Sequence, residues 1–583
     1  MGPYVLNLIV ARLLIAALTL LIVSFAVFFA TAMLPGDTAT ILLGQAATPE
    51  AIAGLRTAMH LDEPAYLRFL RWLGGLASGD LGTSYVNNIA VADLIGSRFT
   101  NTMRLAAITT VFSVPLALTL GITAAMFRGS RYDRFVTILT IGVISVPEFM
   151  VATAAVLVFS VYLKWLPALS FADDVTSIGQ MLKIFAMPVI TLTFVVSAQM
   201  IRMTRAAVID AINMPFVETA LLKARSHRQR DRAFALLPRR RRDHRRDHLQ
   251  LSRHRQADGR RRRDARPSAH PVLRHDLLRR LPDPHHARRH HRHPGQSEAA
   301  RIMTILSVLP REFGYRFNWV GMIGLSVIVF WGVVALAAPR IVPHPVGKII
   351  DDDFFGPMSS DLWLGSDYLG RDMLSRVLMG ARFTVGISLA AVCIACFSGV
   401  VLGMTAAVTG GWFDTALSRF LDAMNSIPSK LSGLVVVAAV GSSINVLIAT
   451  LAGIYTPGAF RLARALAVNI NTMDYITVAR ARGEGTRYLI LSEILPNIIG
   501  PVLADLGLRF VFIVLLLSGL SFLGLGVQPP NADWGALVHE NLGGLPFGAP
   551  AVVVPCLAIA SLTISVNLLI DNLPQKIRDR THE

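Results

Sequence analysis

Apolar runs of about 20 residues recur along this chain of 583 residues. Wound as a helix, a run of that length matches the roughly 30 Å hydrocarbon core of a bilayer. Lipid offers no partner to a backbone N–H or C=O, so such runs are expected to be helices that satisfy their own hydrogen bonds. In the first half they fall near 10–33, 102–126, 136–161 and 180–201, and in the second near 318–338, 380–408, 418–440, 443–460, 498–524 and 550–571. The fold expected is an all-α polytopic membrane protein with about four plus six transmembrane helices. Composition agrees: hydrophobic residues make up 53% and charged residues 16%, against roughly 25% charged in soluble domains. The first run is too long for a cleavable signal core and reads as a signal anchor.

Arg and Lys in the short loops set the expected orientation. Arg128, Arg131 and Arg134 lie between the second and third runs, and Arg202 and Arg205 follow the fourth. The loop from Lys164 to Asp174 carries one Lys and two Asp. In the second half Arg311 and Arg316 precede the first run, Arg461 and Arg464 follow the fourth, and Lys576, Arg578 and Arg580 follow the last. Both termini and the Arg-bearing loops are therefore expected in the cytoplasm. The polar segment 36–98, and in the second half the segment holding Leu364–Asp372, are expected outside.

The formal net charge of +18 suggests nucleic acid until it is located. Residues 225–300 hold 23 Arg, no Lys, seven Asp and one Glu, a net +15, leaving +3 for the rest. Eleven of the chain's 15 His also lie there. A basic arm for nucleic acid or anionic lipid, a His-rich metal tract, and out-of-frame translation of a GC-rich gene all fit that composition. The third fits the context best. The change is abrupt, interrupts a helical pattern, and stands where further apolar runs belong. As translated, residues 224–302 cannot bury a core and are expected to be disordered. Met303 reads as the former start of a separate protein. Nucleic acid is not expected as a partner.

Between two apolar runs lies a polar stretch, Asp474 to Asn497. A short helix is expected from Asp474 to Arg482, interrupted by Gly483 and Gly485, then a second helical piece to Leu495 before Pro496. It could dock a partner protein, or rest on lipid headgroups as an ordinary loop. The segment from Met203 to Lys223 follows the fourth run of the first half in the same way, and Phe216 to Ala220 aligns with Tyr475 to Ala479. A repeated element points to a duplicated architecture. Other chemistry is scarce. Cys393, Cys396 and Cys556 lie in apolar runs and read as packing residues. No G-x-x-x-x-G-K-[ST], H-E-x-x-H or G-x-S-x-G occurs, so no catalytic constellation, metal site or intrinsic ATP site is expected. Glu148, beside Pro147, is an acidic residue inside a run and a functional candidate on that ground.

Both halves resemble permease subunits of ATP-binding-cassette importers of the dipeptide, oligopeptide and nickel group. Residues 1–223 resemble the B-type subunit through Leu34–Asp37, Gly79–Gly82, Arg98–Leu105, Leu166-Pro167 and Arg202–Ala206. Residues 303–583 resemble the C-type subunit through Leu364–Arg376, Gly380–Arg382, Asp474-Tyr475, Leu495–Asn497, Leu520–Gly526 and Asp533–Gly535. The resemblance implies an E-A-A-x-x-x-G coupling loop that sits in a groove of an ATPase subunit. Its positions are Glu218, Thr219 and Ala220 in the first half and Asp474, Tyr475, Thr477, Ala479, Gly483, Leu495 and Pro496 in the second. Thr477 and Val478 stand where Glu and Ala are usual, and Ala224 stands where Gly is usual. Two further spans should follow in the first half and are missing, so that unit is incomplete.

The implied function is the transmembrane part of a peptide importer, working by alternating access. The implied partners are two ATPase subunits, an extracytoplasmic peptide-binding protein, the bilayer and a further permease subunit. ATP is expected on the ATPase subunits, with no cofactor on this chain and no enzymatic role for it. The implied location is the inner membrane. An ion-coupled secondary transporter or channel, and a fused permease without function, are the competing readings.

Overall fold

The computed structural model describes residues 48–214 and 319–572, with gaps at 59, 85–86, 88, 171–176 and 548–549, together with Val217 and scattered positions from 9 to 29. About half of the run 10–33 therefore lies outside the described residues, and 224–302 lies there entirely.

Helices account for the regular structure, and the β-pairing among the described residues is limited to isolated bridges such as Thr83–Ala90 and Ile349–Arg371. After the helical positions described between 9 and 29, the first half has two short helices, α1 (Pro49–Ala58) and α2 (Ala65–Ser78), in the polar segment. α3 (Val91–Met126), α4 (Arg131–Ile144), α5 (Glu148–Ala155) and α6 (Ile178–Ile212) follow. α5 continues as a π-helix to Tyr162. The second half runs α7 (Trp319–Ile341), α8 (Met373–Thr409), α9 (Gly411–Ser426), α10 (Ser429–Val440), α11 (Ile444–Asn471) and α12 (Asp474–Ala481). It ends with α13 (Leu495–Leu520), α14 (Trp534–Glu540) and α15 (Pro550–Asp571).

Among the described residues seven helices are long and apolar enough to cross a membrane, or nine if each of two bent pairs is one span. The bent pairs fall on the runs near 136–161 and 418–440, and add a turn that the apolar pattern does not carry. The first turns by 103° between α4 and α5, the second by 85° between α9 and α10. Both break at a Ser-x-Pro sequence, Ser145-Val146-Pro147 and Ser426-Ile427-Pro428. Proline lacks the N–H that would continue the ladder, and it pushes the residue before it out of helical geometry.

The second half has the larger core. Its centre is the crossing of α8 and α11, where Gly399 and Gly403 let the backbones touch. A Cβ on Gly403 would stand 2.8 Å from the Phe460 carbonyl oxygen, and one on Gly399 2.8 Å from the Phe460 nitrogen. Small residues at a helix crossing serve this end in lipid, where packing rather than water exclusion drives association. From this crossing the core extends to the other end of α8, where Met373, Val377 and Trp534, with Leu447, Leu451 and Leu517, belong to one cluster and are fully or almost fully buried.

The elbow of the first half sits in the second half. Thr563 Oγ1 of α15 donates to the Ser145 carbonyl oxygen at 2.5 Å, and Asn567 Nδ2 donates to Ser145 Oγ at 2.8 Å. Phe149 stacks on Phe522, their ring centroids 4.4 Å apart.

Candidate coupling site

α12 is held by its apolar side. Ile476 and Ala479 are fully buried, against Met404 and Ala407 of α8, Ala467 of α11, and Leu489, Ile494 and Ile498. Asp474, Tyr475, Thr477, Val478 and Arg480 lie on the other side and are exposed. The alternation follows from helical spacing: positions 476 and 479 share a face, and the polar residues take the rest.

The end of α12 explains Gly483. The Gly483 N–H donates to the Arg480 carbonyl at 2.9 Å and the Glu484 N–H to the Ala479 carbonyl at 3.2 Å. These are the paired bonds of a helix stop that needs a left-handed residue. Gly483 supplies it, with φ of 83°. The next helical piece is no separate loop helix. It starts at Thr486, passes through a π-turn at Leu489–Ile494 and enters α13, so that Leu495 and Pro496 form the first turn of a span. Leu495 is partly buried and Pro496 exposed.

Side chains tie α12 to the bundle. Arg480 Nη2 donates to Asn471 Oδ1 at 2.7 Å, and Asn471 Nδ2 donates to the Ala407 carbonyl at 3.0 Å. Asn497 Nδ2 approaches the Tyr475 hydroxyl at 3.3 Å. Partial burial, and the charge of Glu493, push the Tyr475 phenol above its usual range.

One step further into the bundle, an ion pair fixes the base of the bent span. Arg464 of α11 grips Asp414 in the first turn of α9 with two nitrogens, both at 2.5 Å. The first half repeats the arrangement. Arg205 Nε and Nη2 of α6 reach the two oxygens of Asp133, in the first turn of α4, at 2.7 and 2.9 Å. Gly121 matches Gly403 as the point of close approach: a Cβ there would stand 2.7 Å from Thr204 Cβ. The sequence carries the repeat openly. Leu120-Gly121-Ile122-Thr123-Ala124-Ala125 parallels Leu402-Gly403-Met404-Thr405-Ala406-Ala407, and Arg202-x-x-Arg205 parallels Arg461-x-x-Arg464. The expectations above used these arginines for orientation and missed their carboxylate partners.

Glu218, Thr219 and Ala220 lie outside the described residues. The helix that leads to them, α6, ends at Ile212.

A second constellation lies at the opposite end of α8. Asp367 is fully buried; it accepts from the Leu369 and Arg371 N–H groups at 2.9 Å each, from Arg371 Nε at 2.7 Å and from Arg376 Nη1 at 2.5 Å. Glu540 of α14 closes the knot, 3.2 Å from Arg371 and 2.8 Å from Arg376. Asp533 caps α14, accepting from the Gly535 and Ala536 N–H groups and also from Ser521 Oγ and the Val527 N–H. Burial pushes its carboxyl above the usual range, and these four donors work the other way. Cys393 is exposed, Cys396 and Cys556 are buried, and all three are free thiols. No cluster of three metal-ligating side chains occurs among the described residues.

The duplicated anchors under an exposed helix have a counterpart in comparison with known proteins. The chain matches the binding-protein-dependent transport system inner membrane component twice, over 117–236 and 399–579. It also matches the N-terminal region of that component over 5–107. The chain belongs to this family. The two matches make it a tandem of two permease units, and the first continues into the Arg-rich segment. It is similar to the dipeptide transport system permease protein DppC of Haemophilus influenzae, 31% identical over 45% of this chain and 92% of that protein. The glutathione transport system permease protein GsiD of Pectobacterium atrosepticum is 31% identical over 45% of this chain and 88% of its own length. The di/tripeptide transport system permease protein DppC of Pseudomonas aeruginosa is 32% identical over 43% and 84%. As a family of inner membrane transport components, it fits the apolar helices counted above.

Proposed function

We propose that this chain is the permease of an ATP-binding-cassette importer for short peptides, with the path between its two units. The observation that carries the coupling is the outward face of α12. Asp474, Tyr475, Thr477 and Val478 are exposed on a helix whose other face is buried in the spans. A rigid helix with a free polar face is what a groove on another subunit can hold. The names of the similar permeases, for dipeptides, di/tripeptides and glutathione, support peptides as the cargo.

In this reading two ATPase subunits bind and hydrolyse ATP, and an extracytoplasmic binding protein delivers the peptide. The chain itself is not an enzyme and binds no cofactor. Both termini and α12 face the cytoplasm. Movement of α12 reaches α8 through Arg480, Asn471 and the Ala407 carbonyl, and reaches α9 through Arg464 and Asp414. A ligand-driven change of state needs different contacts in the two states, which closure of the ATPase subunits supplies. Val478→Glu, exposed and away from the core, should abolish co-purification of the ATPase subunits and ATP-dependent uptake while the protein stays folded. Unchanged co-purification and uptake would refute the docking role.

The first unit is proposed to be incomplete, with the Arg-rich segment 224–302 out of frame beyond the end of the family match at 236. The apolar stretch of α3 is 22% buried, against 39% for its counterpart α8. That difference is expected where partner spans are missing, and restored spans or a separate permease subunit would supply them. Sequencing the gene across codons 220–305 tests this. The reading stands if another frame there encodes apolar spans, and falls if none does.

A further inference from the structure

The two elbows face one another, and each presents one charge. Past the break in the first half, α5 and its π-helical continuation carry a single charged side chain, Glu148, directly after Pro147. Past the break in the second half, α10 likewise carries one, Lys430, two residues after Pro428. The signs are opposite, and Lys430 Nζ lies 2.5 Å from Glu148 Oε2 across the boundary between the units.

Two observations argue that this pair is not a packing device. Both side chains are open, 63% exposed for Lys430 and 49% for Glu148, while Ser145 and Pro147 beside Glu148 are buried. An exposed pair contributes little to stability. The depth is wrong for a surface loop: α9 has 16 residues and α4 has 14, which places the elbows roughly 24 and 21 Å along their spans. Open charges at such depth are costly unless they line a watery path.

We infer that Glu148 and Lys430 form a binding site for the two charged ends of a short, free-ended peptide, Glu148 taking its ammonium and Lys430 its carboxylate. This rests on the peptide reading proposed above. Without peptide each side chain fills the place of the terminus the other would hold. A tripeptide spans at most about 10 Å, so binding separates the pair by up to that distance and opens the elbows. Charge-assisted contacts to both ends discriminate by charge and spacing and leave side chains free, which suits a carrier of varied peptides.

The test is equilibrium binding of radiolabelled trialanine to the full chain in nanodiscs of phosphatidylethanolamine and phosphatidylglycerol. Saturable binding is expected, weakened about tenfold or more by N-acetylation or by C-amidation of the peptide. Glu148→Gln should weaken trialanine and become indifferent to N-acetylation while still sensing C-amidation, and Lys430→Gln should do the reverse. That crossed pattern would not arise from loss of structure. Absence of saturable binding, or equal affinity of the unaltered chain for free and doubly blocked peptide, overturns the site whether or not the variants fold. No ATPase subunit is needed. Binding with the crossed pattern but no ATP-driven uptake would overturn the coupling proposal alone, and uptake indifferent to end-blocking would overturn this site alone.

Discussion

The two units are alike at the end of the bundle where α12 lies and unlike at the opposite end. In each, a Leu-Gly-x-Thr-Ala-Ala stretch meets the helix carrying Arg205 or Arg464, and that arginine grips Asp133 or Asp414. The anchor is closed within three consecutive spans of one unit and needs no later segment. The opposite end differs. Asp367, Arg371 and Arg376 are locked by Glu540, which comes from the segment between the last two spans. In the first unit Asp80 accepts from the nearby Gly82 N–H and Arg98 donates to the Leu94 carbonyl, with no long-range partner among the described residues. The anchor closes between neighbouring spans, whereas the knot needs a distant segment.

The largest test of this contrast is at the knot. Arg376 is almost fully buried between two carboxylates, so Arg376→Met leaves Asp367 and Glu540 without their second cation. Removing one partner of a buried pair typically costs about 3–5 kcal/mol. The second unit should lose a large part of its stability, read as a lower midpoint of thermal unfolding in detergent. Arg98→Met in the first unit should move that midpoint little. Equal losses would show that the first unit is closed by a contact of its own and would break the comparison.

The anchors should behave as a matched pair. Asp133→Asn and Asp414→Asn each remove the charge from a two-pronged, partly buried contact, at a cost of about 1–3 kcal/mol. The effects should be similar in the two units. A cost confined to Asp414→Asn would mean that the first unit is too loose for its anchor to matter. In nucleotide-driven uptake Asp414→Asn should lower the maximal rate more than it weakens ATPase docking, because α12 keeps Ile476 and Ala479 in place.

Hydropathy located the spans because it counts apolar residues over a window, and lipid imposes the length. It could not see direction. Residues 136–161 and 418–440 have the composition of straight spans, yet the chain turns by 103° and 85° within them. The repeated Ser-x-Pro was the available signal, and Glu148 drew attention to only one of the two elbows. The exposed and buried faces of α12 followed from helical spacing once its bounds were set. The anchors were harder, since Asp133 and Arg205 lie 72 residues apart and Asp414 and Arg464 lie 50 apart. Arginine near a membrane end already has a reading, as an orientation signal, and that reading hid the second role. Aligning the halves on Leu120–Ala125 and Leu402–Ala407 would have set Asp133 beside Asp414 and, further on, Arg205 against Arg464, marking both pairs as repeated. The partners of Asp367 were not legible at all, because Glu540 carries no mark that distinguishes it from a loop carboxylate.

The smallest expected effect concerns the loop itself. Gly483 adopts a φ of 83° with open space around its absent Cβ, so Gly483→Ala meets backbone strain and no clash. The cost should be about 1 kcal/mol, confined to the end of α12. Global unfolding should scarcely change, because the core around Ile476 and Ala479 is untouched. Hydrogen exchange at the Gly483 and Glu484 amides should quicken as the two closing bonds loosen, and affinity for the ATPase subunits should fall about fivefold if that energy is spent ordering the loop. A first-unit match is informative here, since Ala224 stands at the equivalent position. If Gly483→Ala leaves docking unchanged, the glycine serves only to end the helix, and Ala224 is no handicap to the first unit's loop.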